Sequence, residues 1–105
     1  GELAALAVAD WCRQEGWPEP VAEHYFAKPR RWRLDVAWVD DLVALELHGS
    51  TWAGGRHTRG KGFADDREKM NEAALRGWTV IEATYDQFHS GQVREWLRRA
   101  FQQGG

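Results

Sequence analysis

Two short runs constrain this chain more than any other part of it. In WRLDVAW (32–38), Trp32, Leu34, Val36 and Trp38 alternate with Arg33, Asp35 and Ala37. In LVALELH (42–48), Val43, Leu45 and Leu47 alternate with Leu42, Ala44, Glu46 and His48. A period of two is that of a strand with one buried face. Asp40 and Asp41 between the runs predict a hairpin turn, which places residues whose numbers sum to 81 opposite one another. Trp38 then faces Val43, Val36 faces Leu45 and Leu34 faces Leu47, making one wholly apolar face. On the other face Asp35 meets Glu46, Arg33 meets His48 and Ala37 meets Ala44. A slip of one residue would mix the faces, so hydrophobicity selects this register or one shifted by two.

That register has a chemical consequence. Directly opposed residues have Cβ atoms ~4.5–5.5 Å apart. Two carboxylates about 5 Å apart repel by about 3 kcal/mol at an effective dielectric near 20. Two arrangements relieve the conflict. A divalent cation bound between Asp35 and Glu46 converts it into a site, and hard oxygen ligands suit Mg²⁺ or Mn²⁺. Alternatively, Arg31 and Arg33 neutralise an ordinary polar strand face. His48 shares the face of Glu46 and is read either as a metal or water contact and proton acceptor, or as a polar strand end.

The remaining pattern surrounds this hairpin with helices. Residues 2–15 predict a helix with Leu3, Leu6, Ala7 and Trp11 inward, stopped by Gly16 and by Pro18 and Pro20. VAEHYF (21–26) predicts a strand and GSTWAGGRHTRGKG (49–62) a loop. Residues 64–76 predict a helix with Met70, Ala73 and Ala74 inward and Gly77 past its end; WTVIEA (78–83) predicts a buried strand. The last helix is expected over 90–102 with Ser90 as N-cap, because Val93, Trp96, Leu97, Ala100 and Phe101 form an apolar stripe. The order α-β-β-β-α-β-α predicts an α/β fold. The length, 105 residues, suits one domain, with a core of about residues 21–85 on which the terminal helices pack.

Composition excludes several classes. One cysteine, Cys12, allows no internal disulfide or cysteine-rich zinc site, and its place in the helical pattern predicts burial. No apolar run approaches the ~20 residues of a membrane span, and the first residues do not resemble a secretory signal, so a cytoplasmic protein with no membrane partner is expected. Gly60-Lys61-Gly62 lacks the spacing of a phosphate-binding loop, which argues against a nucleotide cofactor. The net charge of −2 speaks against nucleic acid until it is divided. Residues 1–27 carry −4, residues 28–61 carry +3 and residues 62–105 carry −1. The basic middle flanks the hairpin, and a local basic surface is all that phosphate contacts require. Arg31, Arg33, Arg56, His57, Arg59 and Lys61 are therefore candidate nucleic-acid contacts. Of the seven tryptophans, five fall at apolar periodic positions. Trp52, in the glycine loop, is read as a base-stacking or wedging residue, or as an anchor of the loop itself.

RWRLD(35)VAW, then ALE(46)LH(48)G eleven residues on, then HGSTW (48–52), GGRHTRGKG (54–62) and DDREKMNEAALRGW (65–78), resemble the PD-(D/E)XK nuclease superfamily, closest to its small phage-type and very-short-patch-repair-like branches. The resemblance spans about residues 21–85. It implies an αβββαβ restriction-endonuclease-like core, a mixed sheet flanked by helices. It also implies a Mg²⁺- or Mn²⁺-dependent DNA endonuclease acting on double-stranded or branched DNA, as a structure-specific or nicking enzyme of repair or recombination. Asp35 and Glu46 are the implied metal ligands, with the carbonyl of Leu47 a third contact. The sequence departs from the superfamily pattern at His48, where a lysine is usual. Lys69, on the following helix, is then the candidate for water activation or charge stabilisation. Glu23 and Asp66 are accessory candidates. The missing lysine equally suits a non-catalytic nucleic-acid- or protein-binding module on the same fold, and an RNase is a further alternative. For double-strand cleavage a homodimer is the simplest arrangement.

Overall fold

The computed structural model describes residues 2–49 and 61–103. Helix α1 (Glu2–Glu15) leads into a three-stranded meander, β1 (Val21–Tyr25), β2 (Arg33–Trp38) and β3 (Val43–His48). Helix α2 (Lys61–Leu75) crosses over to β4 (Thr79–Thr84), followed by α3 (Tyr85–Ser90) and α4 (Gln92–Gln103). The sheet order is β1-β2-β3-β4; β1, β2 and β3 pair antiparallel and β4 pairs parallel to β3. This is the expected single α/β domain with a mixed sheet flanked by helices.

Two apolar clusters hold the layers together. Val36, Trp38, Val43, Leu45 and Ala83 of the sheet pack against Ala4, Val8 and Cys12 of α1, Phe88 of α3, and Val93 and Leu97 of α4. Leu34, Ala37 and Ala44 pack with Phe26, Ala27, Trp78 and Ala73 of α2. The inward stripe of α1 is thus Ala4, Val8 and Cys12, while Leu3 and Leu6, expected to face the core, are exposed. Cys12 is buried as expected. Trp38 and Trp78 are buried, and Trp38 donates its indole N–H to the Pro18 carbonyl at 2.8 Å. Trp17 joins the first cluster and stacks on Phe101.

The hairpin forms in the expected register, with Trp38↔Val43, Ala37↔Ala44 and Val36↔Leu45 paired. Its connection is a four-residue loop, Val39–Leu42, in which Asp41 N–H donates to the Trp38 carbonyl and Leu42 takes a left-handed φ of 55°. A four-residue loop keeps the register a two-residue one would give. The alternation of faces, however, breaks at Asp35. Leu34 joins the second cluster instead of lying with Val36 and Trp38, while Leu47 stays with the first. The two runs therefore do not form one continuous apolar face. At the same level the β1–β2 register is unchanged but the pair between Ala22↔Val36 and His24↔Leu34 is missing, where Glu23 has a φ of 54°. A left-handed residue of β1 thus stands opposite Asp35, where the alternation breaks.

An L-residue in that conformation costs about 1–2 kcal/mol, and glycine escapes the cost at the expense of about 0.5–1 kcal/mol of unfolded-chain freedom. Glu23→Gly is expected to stabilise the protein by up to about 1 kcal/mol. Glu23→Val, favourable by strand propensity, should destabilise it, since β-branched residues tolerate positive φ least. Urea midpoints of the two variants in the reverse order would show that residue 23 does not hold the left-handed conformation.

The last third differs from expectation in one element. Thr84 caps α3 in a reciprocal capping box with Gln87, and Gly91 (φ 95°) ends α3. Ser90 is therefore the last residue of α3 rather than the start of the final helix, although its Oγ still accepts the Gln92 N–H. α2 begins at Lys61 instead of residue 64. Its inward residues are Asp66, Lys69, Met70 and Ala73, at intervals of three and four, whereas Ala74 is exposed. Among the described residues no helix is long and apolar enough to cross a membrane.

Candidate functional site

The break at Asp35 is where the polar chemistry gathers. Beyond Val36↔Leu45 the β2–β3 pairing gives way to a clasp made by side chains. Asp35 N–H donates to Glu46 Oε1 at 2.8 Å, and Leu47 N–H donates to Asp35 Oδ2 at 2.8 Å. Each carboxylate thus takes up a backbone donor on the opposite strand. Charge-assisted bonds of this kind are about twice as strong as neutral ones, so the two acids are held in fixed positions.

Glu46 is the buried charged residue of the described structure, 6% exposed. Its counter-ion comes from α2: Lys69 Nζ lies 2.6 Å from Glu46 Oε2, and both side chains are largely shielded from solvent. The helical stripe that buries Ala73 and half-buries Met70 delivers Lys69 to this place. Burial pushes the Glu46 carboxyl above its usual range, and the negative charge of Asp35 adds to the rise; Lys69 and the Asp35 N–H pull the other way. The repulsion between Asp35 and Glu46 is therefore relieved by an ammonium and by backbone N–H groups. The arginines read as its alternative relief stand elsewhere: Arg33 faces Glu23 at 3.5 Å and lies over the Tyr25 ring, and Arg31 is exposed.

The other candidates distribute as follows. His48, at the end of β3, bonds through Nε2 to Glu82 Oε1 of β4 at 3.0 Å. Glu23 holds Arg33 rather than reaching the clasp. Asp66 lies one turn before Lys69 on the half-buried side of α2, with its carboxylate paired to Arg67. Trp52, Arg56, His57 and Arg59 fall outside the described residues, as does the side chain of Lys61. Glu82 is the residue sequence reasoning missed. It is the one charged residue in TVIEAT and stands opposite Glu46 in the β3–β4 ladder. Its isolation in an apolar strand was the available signal, but the register that brings it beside Glu46 has no local hairpin to set it.

Among the described residues no three histidine, cysteine, aspartate or glutamate side chains converge as a metal group. The donor set is two carboxylates. Asp35 Oδ2 and Glu46 Oε1 each accept one backbone N–H and Glu46 Oε2 accepts Lys69, which leaves Asp35 Oδ1 open among the described residues.

With this geometry in place, comparison with known proteins places the fold. The chain is similar to the catalytic domain of a homing endonuclease. The structure overlays on the I-Bth0305I catalytic domain with a TM-score of 0.69, covering 96% of this chain and 95% of that one at 16% sequence identity. At that identity the likeness is one of fold. No family model and no curated protein matches the sequence. The chain thus shares its architecture with a nuclease domain across nearly its whole length, including the strands that carry Asp35, Glu46 and Glu82.

Proposed function

We propose that this chain is a divalent-metal-dependent DNA endonuclease of the PD-(D/E)XK type, with Asp35, Glu46 and Lys69 at its centre. The observation that carries the reading is their convergence at the interrupted end of β2–β3, on a fold shared with a homing endonuclease catalytic domain. The donor set suits Mg²⁺ or Mn²⁺: two carboxylates with hard oxygens, held by backbone N–H groups, with Asp35 Oδ1 open among the described residues; in this reading the Leu47 carbonyl would be the third oxygen. When bound there, such a cation supplies Lewis-acid polarisation of a phosphate oxygen and acidifies a water.

The chain's own residues do the rest. Asp35 and Glu46 are held by backbone N–H groups, so little reorganisation is needed on binding. Lys69 uses one of its three N–H donors on Glu46 and has others for the attacking water or the phosphate. His48 stands on the same strand face, two residues beyond Glu46. The segment of residues 49–60 joins β3, which carries Glu46, to α2, which carries Lys69. In this reading its Arg56, His57 and Arg59, with Lys61, Arg31 and Arg33, hold the DNA backbone, and Trp52 stacks on a base. In this reading the activity is structure-specific or nicking, in repair or recombination.

Supercoiled plasmid and a branched duplex, each incubated with Mg²⁺ or Mn²⁺, test the reading. Metal-dependent nicking or cleavage that stops on chelation is expected. DNA binding without cleavage under either metal would favour a non-catalytic module, for which the satisfied Glu46–Lys69 pair also speaks. Cleavage confined to an RNA substrate would assign an RNase.

A further inference from the structure

We propose that Glu82 is a positioning residue of the nuclease site, fixing the orientation and tautomer of His48 so that its Nδ1 faces the reacting water or phosphate as a hydrogen-bond acceptor. The inference rests on the endonuclease reading and assigns a role within it to a residue on a fourth element, β4.

Three observations carry it. The parallel ladder pairs Glu46 with Glu82 and His48 with Thr84, so Glu46, His48 and Glu82 project from the same side of adjacent strands. Glu46 turns toward β2 and α2, to the Asp35 N–H and Lys69, whereas Glu82 turns along its strand to His48. The neighbouring acids thus have separate partners. Third, the atom that Glu82 takes is Nε2, at 3.0 Å. An ionised carboxylate only accepts hydrogen bonds, so Nε2 must carry the hydrogen. In the neutral ring the lone pair is then on Nδ1, and no described residue bonds to that atom. His48 lies two residues, roughly 6.5–7 Å, along the strand from Glu46, within the reach of one phosphate group and its waters.

Stability is a weak reason for the pair. Both side chains are more than two-fifths exposed, and exposed ion pairs contribute about 0–1 kcal/mol. A carboxylate that orients a working imidazole is worth much more to activity, about 10–100-fold where the histidine serves a metal site.

The test combines nicking kinetics with imidazole ¹⁵N–¹H correlation spectra of the full chain, using Glu82→Ala, Glu82→Gln, His48→Ala and the Glu82→Ala/His48→Ala double variant. With the ring neutral, wild-type His48 should show hydrogen on Nε2, and Glu82→Ala a mixture of tautomers. Glu82→Ala should lower kcat about 10–100-fold with KM nearly unchanged. Glu82→Gln, whose amide oxygen still accepts Nε2–H, should recover most of that loss. In the His48→Ala background Glu82→Ala should add nothing. A wild-type ring protonated on Nδ1, or full additivity of the two substitutions in a cleaving enzyme, overturns the proposal while leaving the nuclease reading intact. Absence of cleavage by wild type under either metal overturns that reading, and the role of Glu82 with it, whatever the tautomer.

Discussion

Lys69→Met is expected to lower the unfolding free energy by about 3 kcal/mol at neutral pH in the absence of metal, the low end of what breaking a buried ion pair costs. The reason is Glu46. With its side chain 8% exposed, it keeps one backbone N–H but loses its only described counter-ion. The sign of the pH dependence follows from the same charges. Burial already raises the Glu46 carboxyl, and Lys69 supplies two of the influences that hold it down. Removing them raises it further. A carboxyl raised above its unfolded value, ~4.3, holds its proton more tightly in the folded state. Stability is then lost as pH rises from the unfolded value through the folded one, and regained on acidification. The deficit of the variant should therefore shrink as the solution is acidified through that window, because a protonated Glu46 needs no counter-ion. Urea titrations of wild type and variant across mildly acidic to neutral pH measure it, and Glu46→Gln/Lys69→Met should recover most of the loss. A deficit constant with pH would assign the cost to the methylene packing of Lys69 rather than to its charge.

How far such a site can be read from sequence depends on what fixes each contact. The hairpin register was legible because Val36, Trp38, Val43 and Leu45 have to share a buried side, and every slip by one exposes some of them. Asp35 and Glu46 follow directly from that register, whereas Lys69 was a candidate only through the resemblance, in which a lysine of the following helix stands in for the one missing at position 48. Leu34 was misplaced because alternation assumes an unbroken strand. The left-handed Glu23 across from that break leaves no trace in composition, since glutamate is not a residue that marks such turns. Leu3 and Leu6 were expected inward on their helical spacing with Ala7 and Trp11, yet the side of α1 that is buried is the i, i+4, i+8 row Ala4, Val8 and Cys12. The short α3 was hidden because Thr84, its N-cap, also ends a strand, and Gly91 separates two helices where only one, starting from Ser90 as N-cap, was expected. Glu82 was out of reach for a deeper reason. A parallel pairing is set by how the crossover helix packs, and nothing local in Thr79–Thr84 records its partner.

Asp35→Asn is expected to separate fold from chemistry at this site. The asparagine Oδ1 can accept the Leu47 N–H that Asp35 Oδ2 accepts, so the clasp between β2 and β3 survives. Removing the charge also removes one of the influences that raise Glu46, whose carboxyl should fall toward its usual range. The unfolding free energy should therefore stay within about 1 kcal/mol of wild type. Cleavage should not survive. Losing a partner of a metal ligand costs about 10–100-fold, and losing the charged ligand itself should cost at least the upper figure. The thermal stabilisation that Mg²⁺ or Mn²⁺ gives the wild-type protein should vanish in parallel, since a ligand stabilises only the state that binds it. Glu46→Gln is the poorer probe, because its amide would set N–H groups against the Lys69 ammonium 2.6 Å away and confound activity with folding. A folded Asp35→Asn protein that cleaves at the wild-type rate would remove Asp35 from the chemistry, and the paired carboxylates would then have to be read as a device for ending the β2–β3 ladder.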